Sequence, residues 1–394
     1  MSQYTFLDRS ALPSIPELPD PFLKPDGSRV CSPEEWDTQR EYLKEMLATY
    51  MYGHMPPNPG NTTGEVRSCE EIHDGRAIRE IVHIECGPEH AIQFDVVVVR
   101  PNKPGKFPVF TWNHFKEMTP SPAEYEAVCQ RDYAIAYFDK EQLAPDNSNF
   151  ATGIAPKAYP DYDWRAIAVW AWGHSRIIDY LETTDYADMS KIISTGHSRG
   201  GKTAMCAAIY DDRIAACASS GSGCGGAGCY RFLGGRFGEG VGPCETLGSM
   251  LEPFRFWYWF VDSLADYGHH GEFSIIKDEP RLPFDLHFLK ALIAPRPLIT
   301  TDGLDDIWAN PFGTQVTWRA AEEVYRFLGA PRKNAMHYRE GGHKYRKSDW
   351  LVVLDFMDKM LLGKDVAGTY ATVDETLEYP YPHLHFDWRA PQGK

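Results

Sequence analysis

Residues 191–205 read KIISTGHSRGGKTAM, and this stretch decides the fold. The apolar pair Ile192 and Ile193 leads into residues 196–200, GHSRG, and a small-residue pattern typical of a helix follows. G-x-S-x-G between a strand and a helix is typical of a nucleophile elbow, a sharp turn that exposes its serine above a sheet. Such a serine lies at the N-terminus of a helix, where free backbone N–H groups can stabilise a negative charge that develops during the reaction. The stretch predicts Ser198 as a nucleophile, with a glycine-rich turn carrying an exposed serine as the alternative.

Strands and helices alternate along most of the chain around this turn. Apolar, strand-like runs occur at residues 107–112, 133–139, 214–218, 297–301 and 334–338, and helical patterns at residues 163–181, 284–293, 314–328 and 348–362. This alternation predicts an α/β fold with a mostly parallel central sheet flanked by helices. Residues 78–86 and 92–100 are joined by a short turn, so the sheet is expected to begin with an antiparallel pair.

The 394 residues are predicted to form a single α/β domain, 1–394, with two additions. Residues 1–60 are Pro-rich and polar at first and then contain a helix pattern over 33–51, so they are expected to form an N-terminal arm and helix. Residues 221–280 break the alternation with a glycine-dense run and then FRFWYWF. Long irregular segments in compact domains are usually functional, so this segment is predicted to be an insertion at the active-site mouth.

Composition argues against several classes of partner. The formal net charge of −15 disfavours binding to nucleic acid or to an anionic membrane surface, since basic patches drive both. No apolar run is long enough to span a membrane.

The first 22 residues lack a basic region followed by an apolar one, so no signal peptide is expected. The compartment stays open: secreted or periplasmic if the N-terminus was trimmed, otherwise cytoplasmic. The oligomeric state also stays open.

The nine cysteines include no C-x-x-C pair and no Cys/His spacing typical of zinc. Most of them are expected to be small buried apolar residues, although a bridge involving Cys224 or Cys229 stays open. No metal or cofactor is predicted, because acyl transfer by a serine with its general base requires neither.

A serine nucleophile needs a general base and a group that orients that base. In α/β-hydrolases the order along the chain is serine, acid, histidine. His343 follows the last predicted strand in a glycine loop, and we predict that it is the base. Asp306, which follows strand 297–301 in a G-x-x-D pattern, is the predicted acid. Asp305 is the alternative acid, and Asp302 is a more distant one.

The oxyanion formed during acyl transfer needs hydrogen-bond donors. One is expected to be the backbone N–H of Arg199, directly after the nucleophile, with the Arg199 side chain adding positive charge. The second is expected from the loop near residues 113–115, where no H-G-G-G run is present. Lys202, one helical turn after Ser198, is either a ligand for a substrate hydroxyl or carboxylate, or a solvated lysine on the helix face.

Five stretches together resemble a known family: GHSRGGKTA, SGCGGAGCYR, LPFDLHFLKALIAPRPL, GLDDIWANPFG and EGGHKYRKSDW. The chain is similar over about residues 160–362 to the bacterial branch of the glucuronoyl esterases, carbohydrate esterase family 15. The resemblance implies a three-layer α/β-hydrolase sandwich that hydrolyses esters of glucuronic acid on xylan with lignin alcohols. It also implies that Ser198 is the nucleophile, that His343 is the base, and that Arg199 serves the oxyanion. Lys202 would hold sugar hydroxyls and Trp308 would lie against the uronate ring.

One position departs from the family pattern. Many members have a catalytic glutamate on the strand after the elbow helix, where this chain has Gly221. The acid must then come from the loop after the next strand, which favours Asp306. The departure also leaves two alternatives for function: an acetyl xylan esterase or other acyl-sugar esterase, and a catalytically silent carbohydrate-binding protein.

Overall fold

The computed structural model describes residues 4–392 apart from 115–120, 236–237, 240–242, 253–254, 269–275, 369, 373–378 and 380–384. The strands are β1 Thr63–Ile72, β2 Ala77–Cys86, β3 Ile92–Pro101, β4 Phe107–His114, β5 Ala134–Asp139, β6 Ala187–His197, β7 Ile214–Ser220, β8 Gly234–Gly235, β9 Gly238–Glu239, β10 Leu298–Gly303, β11 Asn334–Arg339 and β12 Ala371–Thr372. The helices are α1 Pro33–Leu47, α2 Pro122–Gln130, α3 Ile154–Ala158, α4 Ala166–Leu181, α5 Arg199–Tyr210, α6 Leu247–Leu251, α7 His287–Ile293, α8 Pro311–Phe327 and α9 Lys347–Leu362.

A central sheet contains ten of these strands in the order β1-β2-β3-β5-β4-β6-β7-β10-β11-β12. The strands from β5 to β11 in this order run parallel, whereas β1, β2 and β3 pair antiparallel and β12 is antiparallel to β11. The predicted parallel sheet with an antiparallel start is therefore confirmed. Because the carboxyl ends of parallel strands share one edge, the loops after β4, β5, β6, β7, β10 and β11 meet there.

Two apolar cores lie against the sheet. The larger one contains the buried faces of α1, α4, α5, α7 and α8, and the smaller one contains those of α2 and α9. The helices bury their apolar faces in these cores. Trp170 and Ile177 of α4 and Trp350 of α9, for example, are fully buried. Helices on both faces of one sheet make the three-layer α/β-hydrolase sandwich that the sequence predicts.

Two of the elements that were not predicted from the sequence have a clear local reason. β1 is exposed along nearly its whole length, so it lacks the alternation of apolar and polar residues that marks a half-buried strand. Helix α2 lies between the predicted strands 107–112 and 133–139, where no helix was predicted; a capping box of Ser121 and Glu124 begins it at Pro122. The helix predicted from residue 163 begins instead at Ala166.

The N-terminal arm lies on the body of the protein. Leu18 and Phe22 are buried, and the backbone N–H of Leu18 donates to the carbonyl of His385 over 2.8 Å. The Trp388 indole N–H donates to the Leu18 carbonyl, also over 2.8 Å, which ties the arm to the C-terminal segment.

All nine cysteines lie among the described residues, and each carries a free thiol. Cys224 and Cys229 are buried and unbridged, so the bridge that the sequence left open is not formed. Across the part of the chain that the structure describes, no helix combines the length and apolar character needed to cross a membrane.

Candidate active site

The turn between β6 and α5 has the backbone of a nucleophile elbow. Ser198 adopts φ 56° and ψ −125°, a conformation that residues other than glycine rarely adopt. A Cβ atom on Gly196 would lie 2.2 Å from the Gly200 carbonyl oxygen, so only glycine fits there. The Ser198 N–H donates to the Ser220 carbonyl over 2.8 Å, which fixes the turn against β7. The Ser198 hydroxyl makes no capping bond to α5.

The loops after β10 and β11 bring the predicted base and acid together. Nδ1 of His343 lies 2.7 Å from Oδ2 of Asp306. A carboxylate oxygen accepts, so Nδ1 carries the proton and Nε2 is left as the basic nitrogen. Asp306 is only 4% exposed, whereas the His343 side chain is 39% exposed.

The two alternative acids have other surroundings. Asp305 bonds the main chain of Gly341 in both directions: its N–H donates to the carbonyl over 3.2 Å, and its Oδ2 accepts from the N–H over 3.0 Å. It therefore shapes the glycine turn that precedes His343. Asp302 is buried on β10, and its burial, with the charge of Asp306 nearby, raises its pKa to about 7. The geometry favours Asp306 over both.

A second histidine links this pair to the elbow. His197 precedes the serine, and its ring centroid lies 4.5 Å from that of His343. Its Nδ1 is 3.2 Å from Oγ of Ser220, and Tyr345 stacks on its other side at 5.9 Å. Burial, then the nearby His343, lowers the pKa of His197 to about 3, so its ring is neutral at ordinary pH.

Gly221, directly after β7, lies next to both His197 and Asp306. Its φ is 51°, and a Cβ atom there would lie 3.0 Å from Cε1 of His197 and 3.5 Å from Oδ2 of Asp306. A side chain at this position would therefore point to the surroundings of Asp306. The segments after the neighbouring strands β7 and β10 both reach the His343 ring region, and the carboxylate found there, that of Asp306, comes from the segment after β10.

Arg199 begins α5, so its N–H belongs to the first helical turn, where the helix itself offers no acceptor. Its guanidinium lies 2.7 Å from the Asp146 carboxylate and 4.9 and 4.8 Å from the ring centroids of Phe256 and Trp259. Asp146 was not among the residues predicted for the site, and Phe256 and Trp259 were predicted only as part of the aromatic run in the insertion. Asp146 follows the carboxyl end of β5, and that position is the only sequence signal that points to it.

Asn113 and His114, at the end of β4, are the described part of the stretch that was expected to supply a second oxyanion donor; Phe115 lies outside the described residues. Asn113 is buried, and its carbonyl lies 3.1 Å from where a Cβ of Gly200 would be. Its Oδ1 accepts from Nε2 of His174 over 3.0 Å, and Nδ1 of His174 accepts from the Thr111 hydroxyl over 2.8 Å.

Lys202 is not the solvated lysine of the alternative interpretation, since it is 3% exposed. Its Nζ donates to the Ser222 carbonyl over 2.7 Å and to Oε2 of Glu245 over 3.2 Å. The Glu245 N–H donates to the Trp308 carbonyl over 2.9 Å, so the residues predicted to bind the sugar are joined through Glu245, which the sequence analysis missed. Arg255, also missed, covers the half-buried Trp308 ring at 4.9 Å.

Glu245, Phe256 and Trp259 all lie in residues 221–280, the predicted insertion, and contact the elbow helix or its neighbours. Within the described ranges, no group of three or more His, Cys, Asp or Glu side chains is arranged to bind a metal ion. The absence of a cofactor stays a prediction.

Comparison with known proteins decides the family. A family model described as "Glucuronyl esterase, fungi" matches residues 84–329. The chain belongs to the glucuronyl esterase family. It is therefore a carboxylic ester hydrolase, and the catalytically silent alternative loses its support.

Members of the glucuronyl esterase family resemble this chain over most of its length. Carbohydrate esterase MZ0003, from an unknown prokaryotic organism, is 30% identical, and the match covers 88% of this chain and 90% of that protein. The 4-O-methyl-glucuronoyl methylesterase 1 of Wolfiporia cocos is 28% identical over 95% of this chain and 89% of its own. A solved family 15 glucuronoyl esterase from Caldicellulosiruptor kristjansonii superposes with a TM-score of 0.75 at 27% identity and covers 95% and 99% of the two chains.

Proposed function

We propose that this protein hydrolyses esters of 4-O-methyl-glucuronic acid on glucuronoxylan, the ester bonds that join lignin to carbohydrate, through Ser198, His343 and Asp306. The observation that supports it most strongly is the contact of 2.7 Å between His343 Nδ1 and Asp306 Oδ2, with the His343 ring 4.5 Å from the ring of His197, the residue before the strained Ser198. Membership of the glucuronyl esterase family supplies the substrate class.

The reaction follows from this arrangement. Asp306 holds the His343 ring with Nδ1–H toward the carboxylate, so Nε2 takes the proton of the Ser198 hydroxyl as its Oγ attacks the ester carbonyl carbon. The carbonyl oxygen gains the electron pair, and the Arg199 N–H and guanidinium stabilise that charge. When the carbonyl reforms, the C–O bond to the alcohol breaks and the alcohol leaves with the proton from His343. Water then repeats the sequence and releases the uronic acid from Ser198.

The sugar is proposed to lie between Lys202 and Trp308. Lys202 lies on α5, one turn after Ser198, and would donate to a sugar hydroxyl, while the carboxylate of its partner Glu245 would accept from one. Trp308 follows Asp306 by two residues, and its half-buried ring would lie against the uronate ring. Aromatic faces and a few fixed polar groups are typical of such sites.

The test compares two esters with the purified protein. We expect turnover of methyl 4-O-methyl-glucuronate and little release of acetate from acetylated xylan, with both activities measured by product analysis. Ser198→Ala is the control for contaminating esterases. A clear preference for acetyl release would overturn the uronate assignment and support the acyl-sugar alternative.

A further inference from the structure

A cluster centred on Asp146 lies beside the elbow, and it comprises Asp146, Lys140, Arg199, Tyr258 and Trp259. Its carboxylate receives four donors. Oδ2 lies 2.8 Å from Lys140 Nζ and 2.7 Å from Arg199 Nη1. Oδ1 accepts from the Tyr258 hydroxyl and from the Trp259 indole N–H, each over 2.9 Å. One side chain thus joins the loop after β5, the elbow helix and the insertion.

The cluster contains two cations and one carboxylate. A further carboxylate, that of the half-exposed Glu141, lies 3.7 Å from Lys140 Nζ, where solvent screens its charge more than that of the buried Asp146. The Lys140 side chain is 0% exposed and that of Asp146 is 5% exposed. Burial alone would raise the pKa of Asp146, but Lys140 and Arg199 hold it below its ordinary value. Arg199 is the cluster's partly exposed cation, at 25%, and it directly follows Ser198.

Lys140 changes what the ion pair does to the site. If Asp146 paired with Arg199 alone, its negative charge would cancel much of the electric field of the guanidinium at the reacting atoms. The reason is that two opposite charges in contact have little net field at a distance. The buried ammonium of Lys140 lies 2.8 Å from the same oxygen of Asp146 and offsets part of its negative charge. The guanidinium is therefore both fixed by Asp146 and still electropositive toward the site.

We propose that Asp146 is a positioning residue for ester hydrolysis, which holds the Arg199 guanidinium toward the oxyanion while Lys140 compensates the charge of Asp146. This inference rests on the proposed function for the identity of the substrate only. The Asp146 carboxylate contacts Arg199 rather than the reacting atoms, so it acts through that side chain. Without it, Arg199 keeps its charge and its contacts with Phe256 and Trp259 but loses the ion pair with Asp146.

Asp358 offers a matched control on the opposite face of the sheet. It is 2% exposed and also receives an arginine, a tyrosine and a lysine: Arg131 Nη2 at 2.5 Å, the Tyr133 hydroxyl at 3.0 Å and Lys364 Nζ at 2.9 Å. It lies on α9, in the layer away from α5. Asp358→Asn therefore removes a similar cluster without touching the site.

The experiment is a double-mutant cycle between Asp146→Asn and Arg199→Met, with kcat and KM measured on methyl glucuronate and on 4-nitrophenyl acetate. We expect Asp146→Asn to lower kcat by about 10- to 100-fold, the cost of slight misplacement of a catalytic group, with KM nearly unchanged. In the Arg199→Met background the same substitution should change kcat less than twofold (about the error of such a cycle). Asp358→Asn should lower Tm to a similar extent as Asp146→Asn and leave kcat unchanged.

Other outcomes separate the two proposals. An equal loss of kcat from Asp146→Asn with and without Arg199 would overturn the positioning role. Cleavage of 4-nitrophenyl acetate alone by the wild type would overturn the uronate assignment, and the cycle would still be decided on that ester. Cleavage of neither ester would overturn both. If Asp146→Asn does not fold, Lys140→Met replaces it in the cycle, with a smaller loss of kcat that again requires Arg199; a loss independent of Arg199 would overturn the charge compensation.

Discussion

The two sides of Ser198 are built differently. On the base side, Asp306 and His343 follow the ends of adjacent parallel strands, β10 and β11, whose pairing places the two loops together. On the oxyanion side, Arg199 is held by Asp146 and Trp259, which come from two irregular segments 113 residues apart. Strand topology alone delivers the first arrangement. The second depends on how irregular segments fold over the elbow.

The base side should be the more sensitive to a single change. We expect Asp306→Asn to lower kcat by about 10⁴-fold, because an amide no longer fixes the His343 tautomer or stabilises its protonated form. Asp305→Asn is the matched control, one residue earlier, and should cost less than about tenfold because its carboxylate accepts from the Gly341 N–H. Steady-state kinetics on methyl glucuronate measure both. Comparable losses from the two variants would remove the distinction between them.

The residues of the base side could be predicted from the sequence, whereas several of those on the oxyanion side could not. Ser198, His343 and Asp306 were predictable because a motif, a chain order and strand ends place them. Asp146 and Glu245 were not, since each is recognised only through a partner far along the chain. The exposed β1 was missed because burial, not chain direction, creates the alternating pattern.

Arg199→Met should have the next largest effect. Methionine keeps apolar contact with Phe256 and Trp259 but removes the guanidinium, so we expect kcat to fall by about 10²- to 10³-fold, the usual cost of one oxyanion donor. KM should change little. If this variant lost more activity than Asp306→Asn in the same assay, the oxyanion side and not the base side would be the more sensitive of the two.

The smallest effect concerns the histidines of the two sides. His343 is exposed, whereas His174 is fully buried behind Asn113, and its burial lowers its pKa to about 3. Below about pH 6.5 the unfolded chain binds a proton at this residue that the folded chain does not, so stability is lost as pH falls from 6.5 toward 3.

His174→Gln keeps a donor and an acceptor at this position but cannot titrate. We expect the stability of the wild type to fall relative to this variant by up to about 1.4 kcal/mol per pH unit between pH 6 and pH 4. Urea unfolding at several pH values measures it. Parallel curves for the two proteins would show that His174 is not held neutral.

Covalent labelling tests the nucleophile most directly. The purified protein is treated with a fluorophosphonate, which reacts with an activated serine, and the modified peptide is identified by mass spectrometry. We expect one phosphonyl group on Ser198, with loss of esterase activity in proportion to labelling and no labelling of Ser198→Ala. An unlabelled Ser198 in active protein, or inactivation by a label on another residue, would contradict the assignment of Ser198 as the nucleophile.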